Sequence, residues 1–275
     1  MPRITVNAIE LFYQIDSVGV TGLSPLGEQP ILIFANGIFQ QVEAWQPLIP
    51  MLEGSRVLRY DMRGQGRSSV PEGAYTPQLH ADDLQALVQA LDISSYHLLG
   101  LSNGGIVAQV LASRQPPGLQ KLILLCTTAR LDPLIRAKVE SWRLALEWAG
   151  TVGRLQVALP WIWGRAYLET HPEVAGTASL EQMGLAAPSL AAQQNLLAGF
   201  LTLGDLRPQL ANIVVPTLVL SGQEDLLFPP CYGQEIADAI PGAHLELLPG
   251  VGHVVVVEDT PGLAQAIRSF LEVKG

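Results

Sequence analysis

The chain has 275 residues, of which 48% are hydrophobic and 15% charged. That composition allows a sizeable core and excludes a disordered chain. Sixteen basic and twenty-five acidic residues leave a net charge of −9, which argues against a nucleic-acid surface and a polybasic membrane anchor. Two cysteines, Cys126 and Cys231, cannot form a disulfide framework. We expect a globular protein of one or two domains.

Two segments of the sequence could be mistaken for a targeting signal or a membrane span. Polar residues interrupt the apolar run Ile4–Ile15, so it does not form a signal-peptide core. Residues 182–204 carry no charge and are long enough to span a bilayer, but Pro188, Gln193 and Asn195 are costly in hydrocarbon. We predict a buried or pocket-lining helical segment here, and a soluble, cytoplasmic protein without a membrane span.

The first part of the chain alternates strand and helix patterns. Thr76 is a candidate N-cap with Pro77 at the first helical position, and a second helix opens at Gly104. Short apolar runs between turn residues predict strands at Ile31–Phe34, Val57–Tyr60, Tyr96–Leu101 and Leu122–Leu125. Such alternation predicts a parallel sheet covered by helices on both faces.

From about residue 130 to residue 212 no strand pattern is visible. Four of the five tryptophans fall here, and six basic against seven acidic residues leave this part nearly neutral. We predict a helical insertion at 131–211 between the two parts of a core, 1–130 and 212–275. Strand patterns resume at Val214–Ser221 and His244–Leu248, and a last helix is predicted with Thr260-Pro261 as its cap.

The strongest local motif is Gly-Leu-Ser-Asn-Gly at residues 100–104. This G-x-S-x-G pattern directly follows a predicted strand and precedes a helix, the context in which a nucleophilic serine sits on a sharp turn. Both glycines suit a turn too crowded for a Cβ. The alternative is an ordinary glycine-rich turn. We predict that Ser102 is a nucleophile.

A serine nucleophile needs a base to accept its proton. His253 follows the glycine-rich segment 249–252 after the last predicted strand, at the carboxyl edge of the sheet where ligands usually bind. A loop histidine is otherwise a solvated polar group. The remaining histidines are less well placed, namely His80, His97, His171 and His244.

The imidazole in turn needs a carboxylate to orient it. Asp225, just beyond the penultimate predicted strand, is the favoured candidate, and its neighbour Glu224 is the alternative. With Ser102 and His253 it gives the chain order Ser, Asp, His, which is that of the α/β-hydrolases.

Two backbone amides would complete an oxyanion hole. We predict the N–H of Asn103, after the serine, and the N–H of Ile38, in the loop after the first parallel strand. Asn36 in that loop either orders it through its side chain, contributes to substrate binding, or is a simple turn residue.

Residues 61–68 combine glycines with Arg63 and Arg67, which could suggest a phosphate loop. The spacing does not match a Walker or dinucleotide motif, and no helix opens at the glycines. We interpret the segment as a scaffold turn, with a possible contact between Asp61 and Arg63.

With these residues the chain resembles the α/β-hydrolase superfamily from about Ile4 to Leu271. Residues 58–64, the Ser102 turn and residues 125–129 are similar to 3-oxoadipate enol-lactonases and their relatives, which also have an asparagine at the position of Asn36. The resemblance implies an α/β-hydrolase fold, with a mostly parallel eight-stranded sheet, helices on both faces and a helical cap after strand 6. It implies ester or lactone hydrolysis without cofactor or metal. Asn103 departs from the family's usual methionine.

The aromatic insertion allows two interpretations, a hydrophobic substrate pocket or the insertion's own core. The residues concerned are Trp142, Trp148, Trp161, Trp163 and Tyr167. A substrate with a carboxylate would need a cationic anchor, for which Arg130, Arg136 and Arg143 are candidates. The near-neutral insertion favours instead a small, largely apolar substrate.

Three classes of function remain open. The first is a serine hydrolase of carboxylic esters or lactones that acts through an acyl-enzyme. The second is carbon–carbon bond hydrolysis, acyl transfer or perhydrolysis on the same triad, since a fold does not choose among reactions. The third is a non-catalytic small-molecule receptor. The oligomeric state is left open.

Overall fold

The computed structural model describes residues 2–19 and 29–272, and its centre is an eight-stranded sheet in the order β1-β2-β4-β3-β5-β6-β7-β8. β1 and β2 form an antiparallel hairpin, and β2 also pairs antiparallel with β4. The other neighbouring strands pair in parallel. The strands are β1 (Arg3–Val6), β2 (Ile9–Ser17), β3 (Ile31–Ala35), β4 (Arg56–Tyr60), β5 (Tyr96–Leu101), β6 (Leu119–Leu125), β7 (Thr217–Gly222) and β8 (His244–Leu248).

The sheet lies between two hydrophobic cores. Successive side chains of a strand point to opposite faces, and β3 shows the division. Ile31 and Ile33 belong to one buried cluster, whereas Leu32 and Phe34 belong to the other. The helices are α1 (Pro77–Ala90), α2 (Asn103–Ala112), α3 (Pro133–Ile162), α4 (Arg165–Thr170), α5 (Thr177–Ala186), α6 (Leu190–Phe200), α7 (Arg207–Leu210), α8 (Pro230–Ala239), α9 (Val255–Glu258) and α10 (Thr260–Glu272). The fold is therefore α/β, as predicted.

The structure tests the predicted N-terminal caps of two helices, α1 and α10. The Thr76 hydroxyl accepts the Leu79 amide at 3.2 Å, with Pro77 as the first helical residue, so the predicted cap of α1 is confirmed. The predicted cap of α10 is wrong. Asp259, one residue earlier, accepts the Gly262 amide at 2.9 Å, while the Thr260 hydroxyl donates to the Val256 carbonyl.

Between β6 and β7 the chain forms helices α3 to α7 and no strand. We call residues 133–210 the helical insertion. α3 bends at Gly150, whose φ of 65° and ψ of −163° interrupt the helix. The uncharged residues 182–204 cover the end of α5, the whole of α6 and the short segments that follow each helix. None of the helices in the described part of the chain has the length and hydropathy to cross a membrane.

The turn at residues 61–68 is part of the scaffold, but its internal contact differs from the prediction. Arg63 forms a two-pronged ion pair with Asp83 of α1, with Nε–Oδ2 at 2.6 Å and Nη2–Oδ1 at 2.8 Å. Asp61 instead accepts the backbone amides of Val42 and Arg67. The predicted contact between Asp61 and Arg63 is therefore wrong, because each side chain has a partner brought close by the fold.

Candidate active site

Ser102 lies on a strained turn between β5 and α2. Its φ of 55° and ψ of −117° are rarely adopted by a residue with a side chain. A Cβ at Gly100 would lie 2.3 Å from the Gly104 carbonyl oxygen, and one at Gly104 would lie 2.2 Å from the Ala35 carbonyl oxygen. The turn can form because both flanking positions are glycine, and it places Ser102 at the carboxyl edge of the sheet.

His253 and Asp225 are brought together from two loops at this same edge. Nδ1 of His253 lies 2.8 Å from Oδ2 of Asp225. The other carboxylate oxygen accepts the amides of Leu227 and Phe228, both at 2.9 Å. The Phe228 ring lies edge-on to the imidazole, with centroids 5.4 Å apart. Asp225 is 1% exposed, so its orientation is fixed from both sides.

The alternative acid, Glu224, is directed elsewhere. Its Oε2 accepts the Ala166 amide at the start of α4, at 3.0 Å. Of the other histidines, His80 is buried in the core, His97 and His244 lie on strands, and His171 stacks on Tyr167 in the insertion. Among the predicted acids and bases, the described structure thus pairs Asp225 with His253.

The loop after β3 passes beside Ser102. The side chain of Asn36 donates to the Tyr60 carbonyl and accepts from Nε1 of Trp45 at 2.7 Å. It is 0% exposed and does not reach the cavity described below, so the predicted substrate-binding role is not supported by its position. Its side chain orders the loop instead. The backbone amides of Ile38 and Asn103 have no hydrogen-bond acceptor within residues 2–19 and 29–272.

Ser102 and His253 open into a cavity of about 580 Å³ between the sheet edge and the helical insertion. Of the predicted aromatic residues, Trp142, Trp163 and Tyr167 line it. Trp161 instead packs against the core with Nζ of Lys138 6.0 Å from its ring centroid. Trp148 is 78% exposed. Both of these side chains are outside the cavity, so for Trp161 the position favours the second interpretation, a place in the core, and for Trp148 it favours neither.

None of the three predicted cationic anchors lines the cavity. Arg130 forms an ion pair with Glu235 at 2.7 Å, Arg143 is partly exposed and pairs with Glu140, and Arg136 is exposed. The cation that does line the cavity is Arg154 of α3. It is 4% exposed, and its guanidinium carbon Cζ lies 4.0 Å from the centroid of the Phe39 ring.

Arg154 has an unusual environment for a buried charge. Its Nε donates to Oε1 of Gln193 at 2.9 Å. Within the described residues no carboxylate pairs with it, and burial lowers its pKa to about 10. The guanidinium is therefore charged at neutral pH, inside a mostly apolar cavity.

The spacing of buried positions in α3 could have identified Arg154. These positions recur every three or four residues from Ile135 to Leu146, and Arg154 and Ala158 keep the same spacing beyond the bend at Gly150. The missed signal was therefore an arginine at a buried position of a helical face that is otherwise mostly apolar.

A cysteine adjoins the candidate triad. Cys126 is fully buried, and its Sγ lies within 4.8 Å of ligand atoms of Asp225 and His253. Burial, together with the charge of Asp225, raises its pKa well above the usual value. In the part of the chain that the structure describes, this is the one cluster of three potential metal ligands, and it coincides with the candidate triad.

A sheet of this topology, with a serine on a strained turn and a histidine–aspartate pair at the same edge, defines a class. The chain belongs to the α/β hydrolase fold family, whose model matches residues 30–260.

Particular relatives narrow this class. The chain is 27% identical to 3-oxoadipate enol-lactonase 2 of Acinetobacter baylyi, over 89% of this chain and 90% of the relative. The enol-lactonase of Burkholderia xenovorans LB400 has a similar structure, with a TM-score of 0.84 and 29% identity over 99% of this chain and 100% of that one. A thermophilic esterase from Thermogutta terrifontis, solved with malate bound, has a TM-score of 0.83 and 29% identity over 98% of both chains. These relatives and the family support a hydrolase of lactone-like or ester-like substrates.

Proposed function

We propose that the protein is a cofactor-independent serine hydrolase that cleaves a carboxylic ester or lactone through an acyl-enzyme. The observation that carries the proposal is the common position of three groups. His253, which is paired with Asp225 at 2.8 Å, and the strained Ser102 both line one cavity under the helical insertion. A serine, a base and an orienting acid are what acyl transfer requires.

In the proposed reaction Oγ of Ser102 attacks the acyl carbonyl carbon while Nε2 of His253 takes its proton. Asp225, held by two backbone amides, keeps Nδ1 protonated and stabilises the imidazolium. The imidazolium then protonates the departing alkoxide, and an acyl-Ser102 ester remains. Water attacks this ester with His253 again as base, which releases the acid and restores the serine.

The negative oxygen of the tetrahedral intermediate would be held by the amides of Ile38 and Asn103. Their lack of an acceptor among the described residues supports this role. Asn103 begins α2, so its amide also has the positive end of the helix dipole. Each donor of this kind is typically worth a factor of about 10² to 10³ in rate.

The proposed substrate carries a negative group in addition to the scissile bond. Arg154 supports this because a buried charge that no carboxylate neutralises is costly, and a substrate anion would offset that cost. This proposal replaces the expectation of a largely apolar substrate. That expectation came from the near-neutral net charge of the insertion, and a net charge does not indicate which charged side chains line the cavity. The names of the enol-lactonase relatives, and the malate bound to the esterase, are compatible with a substrate that carries a negative group.

The test uses a fluorophosphonate probe and p-nitrophenyl butyrate. We expect the wild type to be labelled and active, and Ser102→Ala to lose both while its circular dichroism is unchanged. Ser113→Ala, at the carboxyl end of α2, is the matched control and should retain both. Full turnover by Ser102→Ala would refute the serine mechanism. An unlabelled, inactive wild type would favour a small-molecule receptor.

A further inference from the structure

Glu258 joins the loop of the histidine to the helical insertion. Its Oε2 accepts the amides of Gly252 at 2.7 Å and Gly164 at 3.1 Å, and its Oε1 accepts the Val254 amide at 3.0 Å. Gly252 and Val254 are the residues on either side of His253, whereas Gly164 precedes α4 in the insertion. One carboxylate therefore holds both sides of the histidine and one point of the insertion.

The same two segments also touch directly. The His253 amide donates to the Ile162 carbonyl, at the end of α3, at 2.7 Å. A Cβ at Gly252 would lie 2.3 Å from the Gly164 nitrogen, and one at Gly164 would lie 2.6 Å from Oε2 of Glu258. Backbone is packed on backbone here, so movement of residues 162–164 has to be transmitted to residues 252–254.

The environment of Glu258 is costly for a charge. Burial raises its pKa, and the nearby charge of Asp225 raises it further, while the three backbone donors act in the opposite direction. A second, partly buried carboxylate beside the acid of the candidate triad is destabilised in its charged form, and its hydrogen bonds to the two loops have to offset that cost. Perturbed groups of this kind cluster at functional sites, and here the perturbed carboxylate lies beside the histidine loop.

We propose that Glu258 is a positioning residue that couples the seating of the helical insertion to the orientation of His253. This inference rests on the serine-hydrolase function proposed above. When residues 162–164 are seated, the backbone around His253 is fixed and the imidazole faces Ser102. When they move away, the amides beside His253 lose a shared anchor, and a displacement of about 1 Å at a reacting group can lower the rate about 10²-fold.

Glu224 provides a matched control. This residue directly precedes the candidate triad residue Asp225 in the sequence, and its carboxylate also reaches the insertion. There its Oε2 accepts the Ala166 amide at 3.0 Å. Its side chain makes no hydrogen bond to residues 252–254 among the described contacts. Replacing it loosens α4 without releasing the amides beside the histidine.

The experiment compares Glu258→Gln with Glu224→Gln. Glutamine keeps the shape, but its NH2 group must face at least one of the amide donors. We expect Glu258→Gln to lower kcat for p-nitrophenyl acetate by about tenfold or more, with little change in KM. The low-field NMR signal of the His253 Nδ1 proton should shift or broaden. Glu224→Gln should leave kcat within about twofold and the signal unchanged, because the Glu224 side chain holds the Ala166 amide and none of the amides beside His253.

A second pair of variants approaches the contact from the insertion. Gly164→Ala places a Cβ against the Glu258 carboxylate and should reproduce the loss in kcat and the NMR change. Gly204→Ala adds a Cβ with no atom within 4 Å and should leave both unchanged. This pair carries the test if Glu258→Gln does not fold.

The outcomes separate this inference from the proposed function. A wild type that neither reacts with fluorophosphonate nor turns over the ester refutes the serine mechanism, whatever Glu258 does. An active wild type with unchanged kcat and NMR signal in Glu258→Gln overturns the coupling. So does a loss of activity that only follows the loss of folded protein, with the Nδ1 signal of the folded fraction unchanged.

Discussion

Arg154→Gln tests the proposed anionic substrate most directly. In the wild type the guanidinium is 4% exposed, and Nε is held by Gln193. The terminal nitrogens have no partner among the described residues and are free to bind a carboxylate. Burial lowers the pKa of Arg154 to about 10, so the charge is present throughout the neutral range. The substitution removes this charge and retains a polar side chain.

The expected magnitude follows from the bond that would be lost. A hydrogen bond to a charged group contributes about 1.5–3 kcal/mol, and about 1.4 kcal/mol corresponds to a factor of ten. We therefore expect kcat/KM for an anionic ester to fall about 10- to 100-fold relative to a neutral ester of the same length. Because a buried charge without a partner is removed, the melting temperature should hold or rise.

The assay measures kcat/KM for p-nitrophenyl hemiglutarate and p-nitrophenyl valerate, and compares their ratio in the two proteins. Arg143→Gln is the matched control, since that arginine lies on the same helix with its side chain 42% exposed. It should leave the ratio unchanged. An unaltered ratio in Arg154→Gln, or an equal loss for both esters, would refute the proposed anion contact.

Three further predictions concern stability and the cavity wall. Burial lowers the pKa of His80 to about 3 from 6.5. The unfolded chain therefore takes up the proton first, and the stability that is full above pH 6.5 falls by about 2 kcal/mol at pH 5. His80→Leu should remove this loss, measured as the difference in the free energy of unfolding by urea between pH 5 and a pH above 6.5. Arg63→Ala leaves the buried Asp83 carboxylate unpaired and should cost about 3–5 kcal/mol by urea unfolding. Trp163→Ala enlarges the cavity and should raise KM about tenfold for an ester that fills it, whereas the exposed Trp148→Ala should not.

Each stability prediction has its own control. Arg3→Ala removes an exposed pair with Glu10 and should cost less than about 1 kcal/mol. A similar cost for Arg63→Ala would contradict the buried pair. His244→Gln, at an exposed position, should retain the acid-induced loss. If His80→Leu retains it too, His80 is not its source.

Local patterns were enough to predict the parts of the site that depend on neighbouring residues. The serine turn needs glycines two residues away on each side, and the strand before it needs an apolar run. Both are visible in residues 96–104. The order of Ser102, Asp225 and His253, each just after a predicted strand, indicated a common sheet edge because parallel strands end at the same edge.

Contacts between distant segments were not predictable in this way. The sequence leaves open a contact between Arg63 and Asp61, two residues away, but in the structure Arg63 pairs with Asp83 across the fold. Asn36 orders its loop through the Tyr60 backbone, which the pairing of β4 with β3 brings close, and through Trp45, nine residues further along. Nothing in the spacing of residues distinguishes such a partner from several others.

The sequence by itself predicted the α/β class, a helical segment between the strands of one sheet, and the residues able to act as nucleophile, base and acid. Only the tertiary structure decided that Arg154 lines the cavity while Trp148 does not, and that Glu258 holds the histidine loop against the insertion. Strands, turns and nucleophile elbows are set by the few residues that form them. The orientation of a bent helix over a sheet is set by the packing of the whole chain, which no local pattern contains.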